Sequence, residues 1–99
     1  MTGCTNVAML RASHAKPWHA SLPAERIDPF NGLLLVPNLD QAFDQGLISF
    51  DDDGAILISK MLDSQTATLL GITPHLRLRQ VAHSHLPYLT WHRNFLFRV

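Results

Sequence analysis

The run Asp28-Pro29-Phe30-Asn31-Gly32, followed by Leu33-Leu34-Leu35-Val36-Pro37, constrains this chain more than any other stretch. Asp-Pro and Asn-Gly both mark a chain reversal, because proline fixes φ while asparagine and glycine tolerate φ > 0. The aliphatic run over 33–36 is too short for a helix of its own and reads as a buried strand. Pro37-Asn38 then opens a short helical turn over 39–45, which Gly46 stops. Upstream, residues 9–14 read as a strand whose far end presents His14. Residues 15–27 read as a loop, since Pro17 and Pro23 interrupt regular helix at two points. A loop of that length in a small chain is usually functional or disordered. The order is therefore strand with histidine, long loop, asparagine at a turn, strand, and short helix with acids.

Short elements continue through the second half. Leu47-Ile48-Ser49-Phe50 and Ala55-Ile56-Leu57-Ile58 flank Asp51-Asp52-Asp53-Gly54, and Asp-Gly between two strand-like runs predicts a hairpin. The three adjacent carboxylates lack the alternating ligands and distant glutamate of a calcium-binding EF-hand, so a solvated turn is expected there. Asp63 or Ser64 caps a helix running to Leu70, with Gly71 as its stop. Residues 76–81 alternate as a strand with one apolar and one basic face. Pro87 starts a final helix in which Leu89, Trp91, Phe95 and Leu96 supply apolar bulk. The expected fold class is α+β, in a single domain over 1–99 with its motif at 9–50 and supporting elements at 51–99.

Ninety-nine residues are enough for one modest core; a chain of this size buries roughly two-thirds of its unfolded surface. Hydrophobic residues at 46% and charged residues at 16% exclude a disordered, highly charged chain. No apolar run approaches the ~20 residues of a membrane span, and no basic-then-apolar leader is expected at the start. The single Cys4 excludes an intramolecular disulfide and a thiolate-rich zinc site, and suits a reducing cytoplasm. Eight basic residues balance eight acidic ones. Phosphate contacts dominate DNA affinity, so this balance counts against autonomous DNA binding. It is compatible with a catalytic module whose carboxylates hold a metal while other domains supply affinity. The acids concentrate between Glu25 and Asp53, whereas the stretch after Gly71 carries Arg77, Arg79, Arg93 and Arg98 and no acid.

Three segments in order, Ala12-Ser13-His14-Ala15-Lys16-Pro17-Trp18, then Asp28-Pro29-Phe30-Asn31-Gly32-Leu33-Leu34-Leu35, then Asp40-Gln41-Ala42-Phe43-Asp44-Gln45-Gly46-Leu47-Ile48-Ser49-Phe50, resemble the HNH nuclease family. The resemblance is to its restriction-type branch and covers most of residues 2–60. It implies a ββα-metal (His-Me finger) core, DNA as substrate, and one divalent ion. It further implies that His14 is the general base, and that Asn31, the family's central asparagine, holds the loop and orients that histidine. Asp40 falls where relatives carry the motif's last histidine or a substitute for it.

The residue chemistry is consistent with those roles. Phosphodiester hydrolysis needs a water, a base to deprotonate it, and positive charge for the transition state and leaving oxygen. Histidine titrates near neutrality and suits the base. A carboxylate at 40 favours Mg²⁺ or Mn²⁺ over Zn²⁺, because hard cations prefer oxygen. Asp40 and Asp44, four apart on a helical turn, project to one face; Asp44 is a second metal ligand or a brace for the loop. Plainer roles stand beside these: a hydrogen-bonding histidine at a strand end for His14, and an ordinary turn residue for Asn31.

Ser13 departs from the acidic residue or histidine that many relatives carry before the catalytic histidine, and it is a poorer metal ligand. The zinc-binding cysteine pairs of some relatives are absent. Residues 1–4 resemble a turn inside a longer protein, which implies an N-terminally truncated module or one cut from a larger enzyme; a natural short protein with a frayed start is the alternative. Lys16, Arg26, Arg77 and Arg79 are the candidate phosphate contacts, with His19 in the same loop as Lys16; solvated surface charge is the equal alternative. His83-Ser84-His85 lacks a third spaced ligand and is expected on the surface or in packing. The leading reading is a metal-dependent DNA endonuclease module, served by a recognition domain in a longer parent or by a homodimer. The alternative is a non-catalytic DNA-binding or protein-interaction module with a decayed site.

Overall fold

The computed structural model of the chain describes residues 11–78 and 81–98. These form an α+β arrangement of small antiparallel sheets and short helices. Strand β1 (Arg11–His14) pairs antiparallel with β2 (Gly32–Leu35), with Ser13 opposite Leu33 and His14 opposite Gly32. Leu33 and Leu35 point into the core while Leu34 is exposed, the two-residue alternation of a strand with one covered face. The expected first residues of β1, Met9 and Leu10, lie outside the described residues, as does the turn at 1–4.

Helix α2 (Pro37–Asp44) begins on a proline, whose missing N–H costs nothing in the first turn. It buries Leu39, Ala42 and Phe43, the i, i+3, i+4 stripe of an amphipathic helix. Gly46 ends it at φ +73, the left-handed conformation that glycine adopts without steric cost. A Cβ at Gly46 would also collide with the carbonyl oxygen of Leu96, where the last described segment crosses the helix end. Arg98 N donates to Gly46 O at 2.8 Å in the same crossing.

The predicted hairpin is present: β3 (Ile48–Phe50) pairs with β4 (Ile56–Ile58), Phe50 opposite Ile56. Asp51 Oδ1 accepts from Asp53 N and Ala55 N, both at 2.9 Å, so the first carboxylate of the acidic run holds its own turn. Helix α3 (Ser64–Leu69) is capped by Asp63, whose carboxylate accepts from Thr66 N at 2.9 Å.

The structure differs from the sequence-based expectation in four places. The loop over 15–27 contains helical turns, Trp18–Ala20 and the four-residue α1 (Pro23–Arg26). Pro23 starts α1 instead of interrupting it, because the N1 position needs no N–H donor. The reversal at Asn31-Gly32 uses no positive φ, since Gly32 sits at φ −102. Asp28 makes the bend instead, its side chain accepting from Phe30 N at 2.9 Å at the head of a 3₁₀ turn, Pro29–Asn31.

The third difference is the expected strand over 76–81, which is reduced to one bridge, Ala55 to Arg77. Leu78 N donates to Gly54 O at 2.8 Å and Ile56 N to Leu76 O at 3.1 Å, so the segment touches the hairpin edge only briefly. Residues 79–80, Arg79 among them, lie outside the described set. Finally, α4 (Leu86–Phe95) has Pro87 in its first turn as expected, but turns Tyr88, Leu89 and His92 inward and leaves Phe95 72% exposed.

His92 determines that orientation. Its ring is fully buried, stacked on Phe43 with centroids 3.8 Å apart. Nε2 lies 2.8 Å from Phe43 O and Nδ1 lies 2.7 Å from Ser49 Oγ. A carbonyl can only accept, so Nε2 carries the proton and Nδ1 accepts from the hydroxyl, which assigns a neutral imidazole. Burial pushes its pKa down to about 4, against the opposing pull of the Phe43 carbonyl. Around this group Leu35, Phe43, Ile48, Phe50 and Leu89 fill the core, drawing on both halves of the chain. Among the described residues every buried side-chain polar atom has a partner.

Candidate active site

The site lies where the end of β1 meets α2. Ser13 is buried on β1, and its Oγ donates to Asp40 Oδ1 on the first turns of the helix. Asp40 also has the Arg11 guanidinium 3.9 Å from its other oxygen. The side chain proposed from sequence as the first metal ligand thus fastens strand to helix through the serine beside the candidate base. Asp40 does not line the cleft that opens next to it.

That cleft has a volume of about 330 Å³ and is lined by Ala12, Ser13, His14, Pro17, His19, Asp44 and Leu96. The helical spacing that places Asp40 against Ser13 carries Asp44 one turn on, into the opening beside His14. Burial raises the pKa of the Asp44 carboxyl first, and the Asp40 charge raises it further, with His14 opposing. Among the described residues Asp44 makes no hydrogen bond or ion pair, so this carboxylate keeps its oxygens available.

Asn31 sits behind His14 and is completely buried. Its side-chain oxygen accepts from Lys16 N at 2.8 Å, and its amide nitrogen donates to Lys16 O at 3.1 Å and Glu25 O at 3.3 Å. Its backbone carbonyl accepts from Ala15 N at 2.9 Å, extending the β1–β2 pairing by one rung past His14. One side chain therefore gathers both ends of the loop that carries Pro17 and His19 to the cleft. Ser21 reinforces it, Oγ donating to Pro17 O at 2.9 Å and Lys16 O at 3.1 Å.

The candidate phosphate contacts fare differently. Lys16 Nζ is held by both oxygens of Glu25 at 2.8 and 3.1 Å, and that bond, with Leu22 N, holds the Glu25 carboxyl below its usual range. Arg77 donates to Asp53 O at 2.9 Å on the far hairpin. Arg26 is engaged with other groups of the chain. Arg79 is outside the described residues.

Two features of the site have no local signal in the sequence. Leu96, from beyond the end of α4, closes one wall of the cleft. Tyr88 on α4 donates its hydroxyl to Asp28 Oδ2 at 2.6 Å, and His85 meets the Phe30 ring edge-on at 5.1 Å, so the C-terminal helix grips the turn that positions Asn31. The same bond pushes the Tyr88 hydroxyl up to about 12 and lowers the Asp28 carboxyl. Each pair is 55 or more residues apart along the chain, and only folding brings them together.

The donor set facing the cleft is one free carboxylate and neighbouring imidazoles. Among the described residues no three His, Cys, Asp or Glu side chains form a ready metal cage. Such a set suits an oxygen-preferring ion that keeps water and takes substrate phosphate oxygens as ligands, the habit of Mg²⁺. It does not suit a closed tetrahedral zinc site. No helix among the described residues is long and apolar enough to cross a membrane.

Comparison with curated proteins gives no significant match. The HNH endonuclease family model matches residues 1–51, just over half of the chain and the half that carries His14, Asn31, Asp40 and Asp44. On that match over more than half of its length, the chain belongs to the HNH endonuclease family.

Proposed function

We propose that this chain is the nuclease module of a metal-dependent DNA endonuclease, with β1, β2 and α2 as its ββα-metal core. The observation that carries the proposal is the open cleft lined by both His14 and Asp44, whose carboxylate has no hydrogen bond or ion pair among the described residues. His14 takes a proton from the attacking water, and Asp44 holds the divalent ion, Mg²⁺ or Mn²⁺. A bound ion supplies positive charge for the phosphorane-like transition state and the leaving oxygen. Ser13 and Asp40 fix the strand that aims His14, and Asn31 fixes the loop above it. The raised Asp44 pKa supports this assignment, because a desolvated carboxylate near a second carboxylate is stabilised by an arriving cation. Recognition of a particular DNA sequence is assigned to another domain or a second copy, in a cytoplasmic setting.

The test is cleavage of supercoiled plasmid by the chain with Mg²⁺ or Mn²⁺. His14→Ala should slow cutting by roughly 10²–10⁴-fold, the usual range for loss of a general base, while Mn²⁺ binding persists. A His14→Ala protein that cuts as fast as its parent removes His14 from the mechanism. A second reading, a non-catalytic module with a decayed site, is supported by the capture of Asp40 by Ser13. It prevails if the parent binds DNA and cuts none with either ion.

A further inference from the structure

The neutral charge balance leaves open which cations hold a polyanion at the cleft. Most of the described basic side chains already have partners. Lys16 is clamped by Glu25. Arg93 binds Asp52 at 2.7 Å and the Phe50 carbonyl at 2.7 Å. Arg77 is tied to the Asp53 carbonyl, and Arg26 is engaged within the chain. Releasing any of these for a phosphate would break a contact the fold already makes.

Three described cations are left. Lys60 follows β4, and neither it nor its chain neighbours line the cleft. Arg11 is the first described residue of β1, next to the cleft residue Ala12. Its side chain is 67% exposed and reaches Asp40 only at 3.9 Å. Arg98 has no side-chain hydrogen bond or ion pair among the described residues. It follows the cleft residue Leu96 by two positions, and its Cγ lies beside Gly46, two residues past the cleft residue Asp44.

These two arginines lie outside the cleft lining, one beside each end of α2. Arg11 faces Asp40 and Arg98 packs by Gly46, six residues further along α2 and its cap. At ~1.5 Å of rise per residue Asp44 lies roughly 6 Å beyond Asp40 along the helix axis, and Gly46 follows it just past the helix end. Successive phosphates of one DNA strand advance about 3.4 Å along the duplex axis. Arginines anchored on either side of Asp44 therefore suit different phosphates of one strand, flanking one seated between them.

We propose that Arg11 and Arg98, and not Lys16 or Arg77, form the phosphate clamp that holds a DNA strand across the His14–Asp44 cleft. The clamp rests on the nuclease reading for its ligand, but it concerns binding and is measured without catalysis. It also gives the C-terminal segment a role in substrate binding, since the Gly46 crossing sets Arg98 two residues past the cleft wall at Leu96.

The probe is a fluorescein-labelled mixed-sequence duplex, titrated with the 99-residue chain in Ca²⁺ at several salt concentrations and read by anisotropy. Each phosphate contact contributes about 0.9 to the slope of log K against log salt. Arg98→Ala should lower that slope by about 1 and weaken binding at every duplex sequence tried, while Arg98→Lys should restore the slope. Arg11→Ala should do the same, and Arg77→Ala should leave the slope unchanged. Far-UV circular dichroism of each variant establishes that it is folded. Unchanged slopes in folded Arg11→Ala and Arg98→Ala proteins overturn the clamp, as does a wild-type chain that binds no duplex at low salt. A clamp confirmed by slope in a chain that cuts no DNA would stand while the catalytic reading falls. Cutting with unaltered slopes would have the opposite consequence.

Discussion

His92 gives the fold a pH dependence that follows from two distances and a burial. The ring is enclosed, donates to Phe43 O and accepts from Ser49 Oγ, and the folded chain holds it near 4 against an ordinary 6.5. Below 6.5 the unfolded chain takes up a proton on this residue while the folded chain does not, so protonation favours unfolding. Stability from this group is complete above 6.5, falls as pH drops, and is exhausted near 4. The full difference corresponds to about 3 kcal/mol, and about 2 kcal/mol of it is gone by pH 5. That is a large share of what a small domain possesses. Urea unfolding between pH 7.5 and 5, in wild type and in His92→Gln, isolates the contribution of His92, since the rest of the chain is the same in both. The wild type should lose about 2 kcal/mol more than the variant over that range. An equal loss in both, or an NMR titration placing the folded His92 at or above 6, would refute the account.

Asp44→Ala should abolish Mn²⁺-induced broadening of the His14 ring resonances, whereas Asp40→Ala should weaken it only through loosening of β1; the reverse order would place the ion on Asp40. Gly46→Ala should destabilise the chain by roughly 1–3 kcal/mol, since it combines a left-handed φ with a collision against the Leu96 carbonyl; thermal unfolding measures it. An unchanged melting temperature would mean that the crossing segment does not pack there.

Much of the scaffold was legible because local chemistry and tertiary packing agree. Pro37 and Gly46 bound α2, Asp63 caps α3, and Asp-Gly marks the β3–β4 turn. The sequence is less legible where a residue's surroundings depend on a distant partner. Asp40 and Asp44 are equivalent by spacing, and the Ser13 hydroxyl decides which of them turns to the cleft. Ser13 itself reads from sequence as a weak metal ligand, whereas in the fold it anchors Asp40. Lys16 and Arg77 read as available cations until Glu25 and the Asp53 carbonyl are placed beside them. Trp91 and Phe95 are the largest apolar side chains of α4, yet the helix turns His92 inward beside Leu89, because acceptor and donor wait for it at Phe43 and Ser49. A polar residue with two partners outcompetes a larger apolar one that has none.

The Gly46 crossing bears on how portable this catalytic segment is. Residues 1–51 carry the family match, but Leu96 walls the cleft, Arg98 hangs from the end of α2, and Tyr88 steadies the turn behind Asn31. A graft of residues 1–51 onto a foreign scaffold would carry the histidine, the asparagine and the acids, but neither the cleft wall nor the Tyr88 brace. Chimeras within the family should therefore exchange the first half together with α4 and the segment after it, as one unit of inheritance.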